Sequence, residues 1–232
     1  MKSDARWCAL VALLALSAAG PRLGAEPQTY AVDPGRSRVR IHLDRAGLVK
    51  FMGHAHDIDV PVADGRVEVV DGDPARSTVA LRFEAARLAL VPGSESAGDV
   101  PTIEGRMRGP EVLDVARYPE IAFVSRSVRT VATEGHLSRV VVSGTLTLHG
   151  RSVPVEVPLD VERVAEGGIE ARGETSLNLR DLGIEPPSVA GVVKVANRFR
   201  LELDVRATAK TATGPVDPKA GASAQGRGST GR

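Results

Sequence analysis

Leu146-Thr147-Leu148-His149-Gly150-Arg151-Ser152-Val153-Pro154-Val155-Glu156-Val157-Pro158-Leu159-Asp160-Val161 is the stretch that decides the fold. On the far side of His149-Gly150, Val153, Val155, Val157, Leu159 and Val161 alternate with Pro, Glu and Asp. On the near side, Val140, Val142, Leu146 and Leu148 keep the same period of two. That period gives each run one dry face and one wet face, which is a half-buried β-strand. His149-Gly150-Arg151 between them is a tight turn, so the two strands are antiparallel.

The same reading extends outward in both directions. Upstream, Val39, Ile41 and Leu43 alternate with Arg38, Arg40 and His42. Val79, Leu81, Phe83 and Ala85 form another run, and Ile121 and Phe123 begin the next. Downstream, Leu177 and Leu179 belong to one strand, and Phe199, Leu201, Leu203 and Val205 to the last. Glu166-Gly167-Gly168 closes a further hairpin, and Asp64-Gly65 predicts one between Val62 and Val67. No long helical pattern separates the strands, which disfavours βαβ units. Between Pro92 and Arg117 the alternation stops. Ile103, Met107, Val112 and Leu113 have helix-like spacing there, and Pro110 suits a first helical turn. One or two short helices lidding a barrel end, or a plain crossover loop, fit this segment equally. Eight or nine antiparallel strands can close into a barrel or stack as a sandwich, and periodicity alone leaves both open.

Both termini differ from this body. Lys2 and Arg6 precede the short apolar run Cys8–Leu16, and Leu23-Gly24-Ala25 offers a cleavage site, so residues 1–25 read as a secretory signal peptide. The run is far shorter than the roughly 20 residues of a spanning helix. A periplasmic or secreted location, with no membrane-spanning segment, is the expectation. Cys8 is the only cysteine, so the processed chain would have no disulfide, thiolate nucleophile or Cys-based metal site. Residues 209–232 are mostly small and polar and read as a disordered tail, leaving 28–208 as the folded domain.

Composition excludes several functions. A formal net charge of +1, with dispersed Lys and Arg, indicates no nucleic-acid partner. Aromatic residues make up 3% of the chain, too few for the girdles of an outer-membrane barrel or for base-stacking platforms. There is no Gly-x-Ser-x-Gly elbow, phosphate-cradling Gly loop or His-Glu-x-x-His, so no catalytic residue is assigned.

Several segments resemble the YceI-like family of exported polyisoprenoid-binding proteins. They are Tyr30-Ala31-Val32-Asp33-Pro34-Gly35-Arg36-Ser37, Leu113-Asp114, Tyr118-Pro119-Glu120-Ile121-Ala122-Phe123-Val124-Ser125, Gly144 to Gly150 with Val153-Pro154-Val155, and Leu179-Arg180-Asp181-Leu182-Gly183-Ile184. The resemblance covers roughly residues 28–208. It implies an all-β, extended, lipocalin-like antiparallel barrel of about eight strands with one or two short helices, and a tunnel for a long isoprenoid chain. The chain departs from the commoner family form at Phe51-Met52-Gly53-His54-Ala55-His56, where a Gly followed closely by Phe is expected.

With that resemblance, the inward aliphatic face becomes a candidate binding surface: Val39, Ile41, Ile58, Leu81, Phe83, Ile121, Phe123, Leu146, Val155, Val157 and Leu201. The expected partner is an isoprenoid lipid or quinone held as ligand, with no other cofactor; the oligomeric state stays open, a homodimer being one option. His54 and His56 share parity with Ile58, Val60 and Val62 and would lie about 6.7 Å apart at Cα. Three roles compete for the pair. They engage a polar head group at the barrel mouth, or they hold a metal with His149 or a carboxylate as third ligand, or they sit partly solvated at a strand end. His42 alternates outward with Arg40. The main reading is a carrier without catalysis. A metal-dependent enzyme or metal-binding protein using His54 and His56 is the alternative, and a filled barrel serving as an interaction domain is a third.

Overall fold

The computed structural model describes residues 25–46, 56–164, 167–189 and 193–210. The twelve strands are β1 (Gln28–Val32), β2 (Arg38–Ala46), β3 (His56–Asp59), β4 (Val62–Val69), β5 (Thr78–Glu84), β6 (Ala89–Leu90), β7 (Glu120–Glu134), β8 (Leu137–Leu148), β9 (Arg151–Val164), β10 (Gly168–Asn178), β11 (Ser188–Val189) and β12 (Val193–Ala209). Between β6 and β7 lies one α-helix, α1 (Val100–Arg108).

These strands make eight staves, because β1 and β2, β3 and β4, and β5 and β6 each follow one another along a single line. The other five staves are β7, β8, β9, β10 and β12; the short β11 pairs only with β12. Every neighbouring pair is antiparallel, and all but the closing pair are consecutive in sequence. The ring closes where β12 meets both β2 (Leu203 opposite Val39) and β1 (Ala209 opposite Tyr30). The molecule is therefore a closed eight-stranded antiparallel barrel rather than a sandwich. Closure satisfies the backbone groups that open sheet edges would leave unpaired.

The alternation seen in the sequence is the inside–outside alternation of the wall. Val155 and Val157 of β9 are buried beside Val140 and Val142 of β8, while Glu156 and Arg139 face solvent. The outer face is laced with charge pairs. Arg172 bonds Asp204 and Glu170, and the Asp204 hydrogen bond, with the two carboxylate charges, raises its guanidinium above the usual value. Exposed pairs of this sort contribute about 0–1 kcal/mol each.

Two local expectations are corrected. Asp64-Gly65 is no hairpin. Both residues lie inside β4, where a bulge between Val62 and Asp64 moves the inward set from His56, Ile58 and Val60 to Gly65, Val67 and Val69. Gly65 is required by space, not by a turn: a Cβ there would come within 2.6 Å of Val32 Cγ2 and 2.8 Å of Leu81 Cδ2. Nor does Pro110 start a helix. Pro101 occupies the first turn of α1, and Pro110 follows its end at Gly109, in turns that place Val112 and Leu113 under the helix.

The last stave continues through Ala209, and the Lys210 amide bonds the Thr29 carbonyl. The segment 1–25 read as a signal peptide, apart from Ala25, lies outside the described residues, as do the tail beyond residue 210 and His54. Among the described residues no helix is long and apolar enough to cross a membrane.

Candidate ligand-binding chamber

The inward side chains do not fill the barrel. They line two cavities of about 450 and 540 Å³, each within the usual range for a small-molecule site. The two share Val39, Phe83, Leu146, Leu177 and Leu201, so they adjoin within the barrel and meet at a waist formed by those residues. From Val195 to Ala207 of β12, at about 3.3 Å per residue and a tilt of about 40°, the hollow is roughly 30 Å long.

The structure places every described candidate on this lining. Leu81, Phe123, Val155 and Val157 face the first chamber; Ile41, His56, Ile58 and Ile121 face the second; Val39, Phe83, Leu146 and Leu201 form most of the waist. Local backbone chemistry makes the room. In β8, Gly144 has no side chain, and the Phe123 ring occupies that space; a Cβ would come within 2.6 Å of Phe123 Cζ and of the Val124 carbonyl. In β7, bulges between Ser125 and Ser127 and between Thr130 and Ala132 re-aim the inward set, so Phe123, Val128, Thr130 and Thr133 all face the first chamber. Such bulges add local twist and bend, which a closing sheet needs.

The second chamber ends under α1. Ile103 and Met107 of the helix, with Val112 and Leu113 beyond it, form an apolar roof. Beside that roof lie the polar groups His56, Glu95, Asp99, Thr102 and Arg106. His56 Nδ1 is 2.5 Å from Glu95 Oε1, and the two side chains are 16% and 9% exposed. The approach lies off the hydrogen-bond direction, and neither atom has a hydrogen-bond partner. Glu95 is held over the chamber by its loop: Gly93 has φ +86°, Ser94 Oγ donates to the Val91 carbonyl, and Ser96 Oγ bonds Asp99. Asp99 immediately precedes the helix.

Sequence reasoning placed His56 inward but missed Glu95. That residue lies in an irregular segment, where no period reports which way a side chain points. His42 and His149 do not join the site. His42 faces outward between Asp57 at 2.8 Å and Glu202 at 2.9 Å. His149 sits in the β8–β9 turn with φ +49° and packs edge-on to Tyr118, their ring centroids 5.1 Å apart. Among the described residues no three His, Cys, Asp or Glu side chains converge to hold a metal ion. The opposite end of the hollow, in the first chamber, is lined by Thr133, His136 and Ser138, and an Asp71–Arg163 ion pair joins β9 to the turn after β4.

Comparison with known proteins agrees with this architecture. A solved structure of Burkholderia cenocepacia BcnA superposes with a TM-score of 0.59 at 18% identity, covering 76% of this chain and 99% of that one. A polyisoprenoid-binding domain from Saccharophagus degradans, described as implicated in plant cell wall breakdown, superposes at 0.56 with 15% identity, covering 79% and 99%. At these identities the likeness is one of fold. Among curated sequences, a UPF0312 protein of Pseudomonas savastanoi pv. phaseolicola is 37% identical over 82 residues, 33% of this chain and 41% of that protein. One from Pseudomonas putida is 38% identical over 100 residues, 41% of this chain and 46% of that protein. The aligned parts thus span less than half the length of these relatives. The model of the YceI-like domain matches residues 30–207, the whole barrel from its first stave to its last, and the chain belongs to that family.

Proposed function

We propose that this protein is an exported carrier that holds an isoprenoid lipid or quinone inside its barrel and performs no chemistry on it. The observation that carries the reading is the apolar hollow, narrow, roughly 30 Å long and walled by Val, Leu, Ile and Phe. A shape of that kind suits a flexible hydrocarbon chain better than a compact polar metabolite. Burial of hydrocarbon contributes about 0.8 kcal/mol per CH₂-sized group, so two or three isoprene units give about 10 kcal/mol before losses. Ordering the ligand removes several kcal/mol, and a micromolar or tighter dissociation constant remains. Family membership and the Saccharophagus neighbour support the same ligand class, and the N-terminal segment supports export. His56 lies where a head group would rest once the tail is threaded through the waist.

The test is native mass spectrometry of protein purified from its source without delipidation, followed by solvent extraction. The expected result is a bound prenyl compound near one per chain. Protein that arrives empty, and whose melting temperature is unmoved by added prenyl lipids, overturns the proposal.

A further inference from the structure

We infer that the helix-side mouth of the hollow selects a prenyl ligand whose head is uncharged and carries a hydroxyl or carbonyl oxygen, and rejects the phosphorylated form of the same tail. This rests on the carrier reading above and deepens it. Glu95, whose side chain is 9% exposed, lines the second chamber and stands 2.5 Å from His56 Nδ1 without a hydrogen bond at Oε1. The facing His56 Nδ1 is likewise without one. The two groups face each other as a pair at 2.5 Å, and each keeps a hydrogen-bonding direction that a guest oxygen can use.

Charge then decides which guest. Among the described residues, the ionisable side chains on this chamber are His56, Glu95, Asp99 and Arg106. Arg106 is already engaged by Glu111, and Asp99 by Ser96. With the imidazole neutral the group is net acidic; with it protonated the group is balanced. A phosphate head would bring about 1.5 to 2 negative charges to within reach of the Glu95 carboxylate, which is repulsive at short range in a poorly solvated pocket. A hydroxyl fits, since it can donate to Glu95 while accepting from the His56 ring N–H. A carbonyl fits in part, as an acceptor from His56. Glu95 and His56 are thus assigned as specificity-determining residues for the head, with the tail bound by the walls.

The test uses three probes: geranylgeraniol, geranylgeranyl monophosphate and the headless hydrocarbon squalene. Binding to the purified full barrel is followed by native mass spectrometry and by the melting temperature from circular dichroism. The expected result is at least tenfold tighter binding of the alcohol than of the monophosphate at neutral pH. In the Glu95→Gln variant the monophosphate should gain most of that tenfold, while squalene binding stays unchanged. The His56→Gln variant should weaken the alcohol severalfold and leave squalene alone. Equal binding of alcohol and monophosphate, or an unaltered ratio in Glu95→Gln with a native circular dichroism spectrum, overturns this inference and leaves the carrier reading standing. If no probe binds, squalene included, both are overturned.

Discussion

At Gly144 a methyl group has nowhere to go, since the Phe123 ring and the Val124 carbonyl already stand 2.6 Å from where it would be. Gly144→Ala should therefore displace Phe123 from the chamber wall and cost about 1–3 kcal/mol, the range of overpacked cores. Thermal unfolding by circular dichroism checks this, with an expected fall of about 2–4 °C per kcal/mol. Gly105 gives the opposite expectation. It lies inside α1 with open space around a built Cβ, so Gly105→Ala should raise stability by about 0.5–1 kcal/mol in the same assay. At this scale the sequence was legible wherever a strand was regular. Parity alone points Val155, Val157, Leu201 and Phe83 inward, because successive strand residues must take opposite faces. Glu95 was not legible, since its aim depends on a loop folded back over the barrel.

Among the elements, α1 differs most from the rest of the wall, because it roofs the hollow instead of forming part of it. Its seat is Met107, 8% exposed, with Ile103 and the trailing Leu113 beside it. Met107→Ala should loosen that seat, lowering stability by about 2–5 kcal/mol if the site fails to collapse. It should also speed release of a bound prenyl ligand, read as a shorter residence time in a chase with excess competitor. An unchanged release rate would show that ligands leave by the other end. The strands were the most legible elements and their interruptions the least. Asp64-Gly65 carries the composition of a hairpin turn, yet it marks a bulge, because the same lack of Cβ that permits a turn also permits the tight packing of Val32 and Leu81. Likewise Pro110 and Pro101 look alike as helix starters, and only the packing of Met107 and Leu113 against the barrel chooses between them.

For the whole molecule, the two chambers make one hollow only through the waist. Leu201→Trp, placed there, should divide them. Solanesol, with its long tail, should lose most of its binding while farnesol keeps its own, as read by native mass spectrometry. Retention of both would mean that long chains do not cross the waist. Closure as a barrel rather than a sandwich was beyond the periodicity, because both architectures share one apolar face and differ only in which strands meet last. Here the meeting is between the ends of the folded chain, with Tyr30 opposite Ala209 and Val39 opposite Leu203. A ribosome delivers Tyr30 long before Ala209, and until both exist the wall is an unsealed sheet with its greasy side bare. Pairings so distant in sequence make for slow folding. The vessel is finished by its last-made part, and a chain cut short before β12 would have walls but no closed interior.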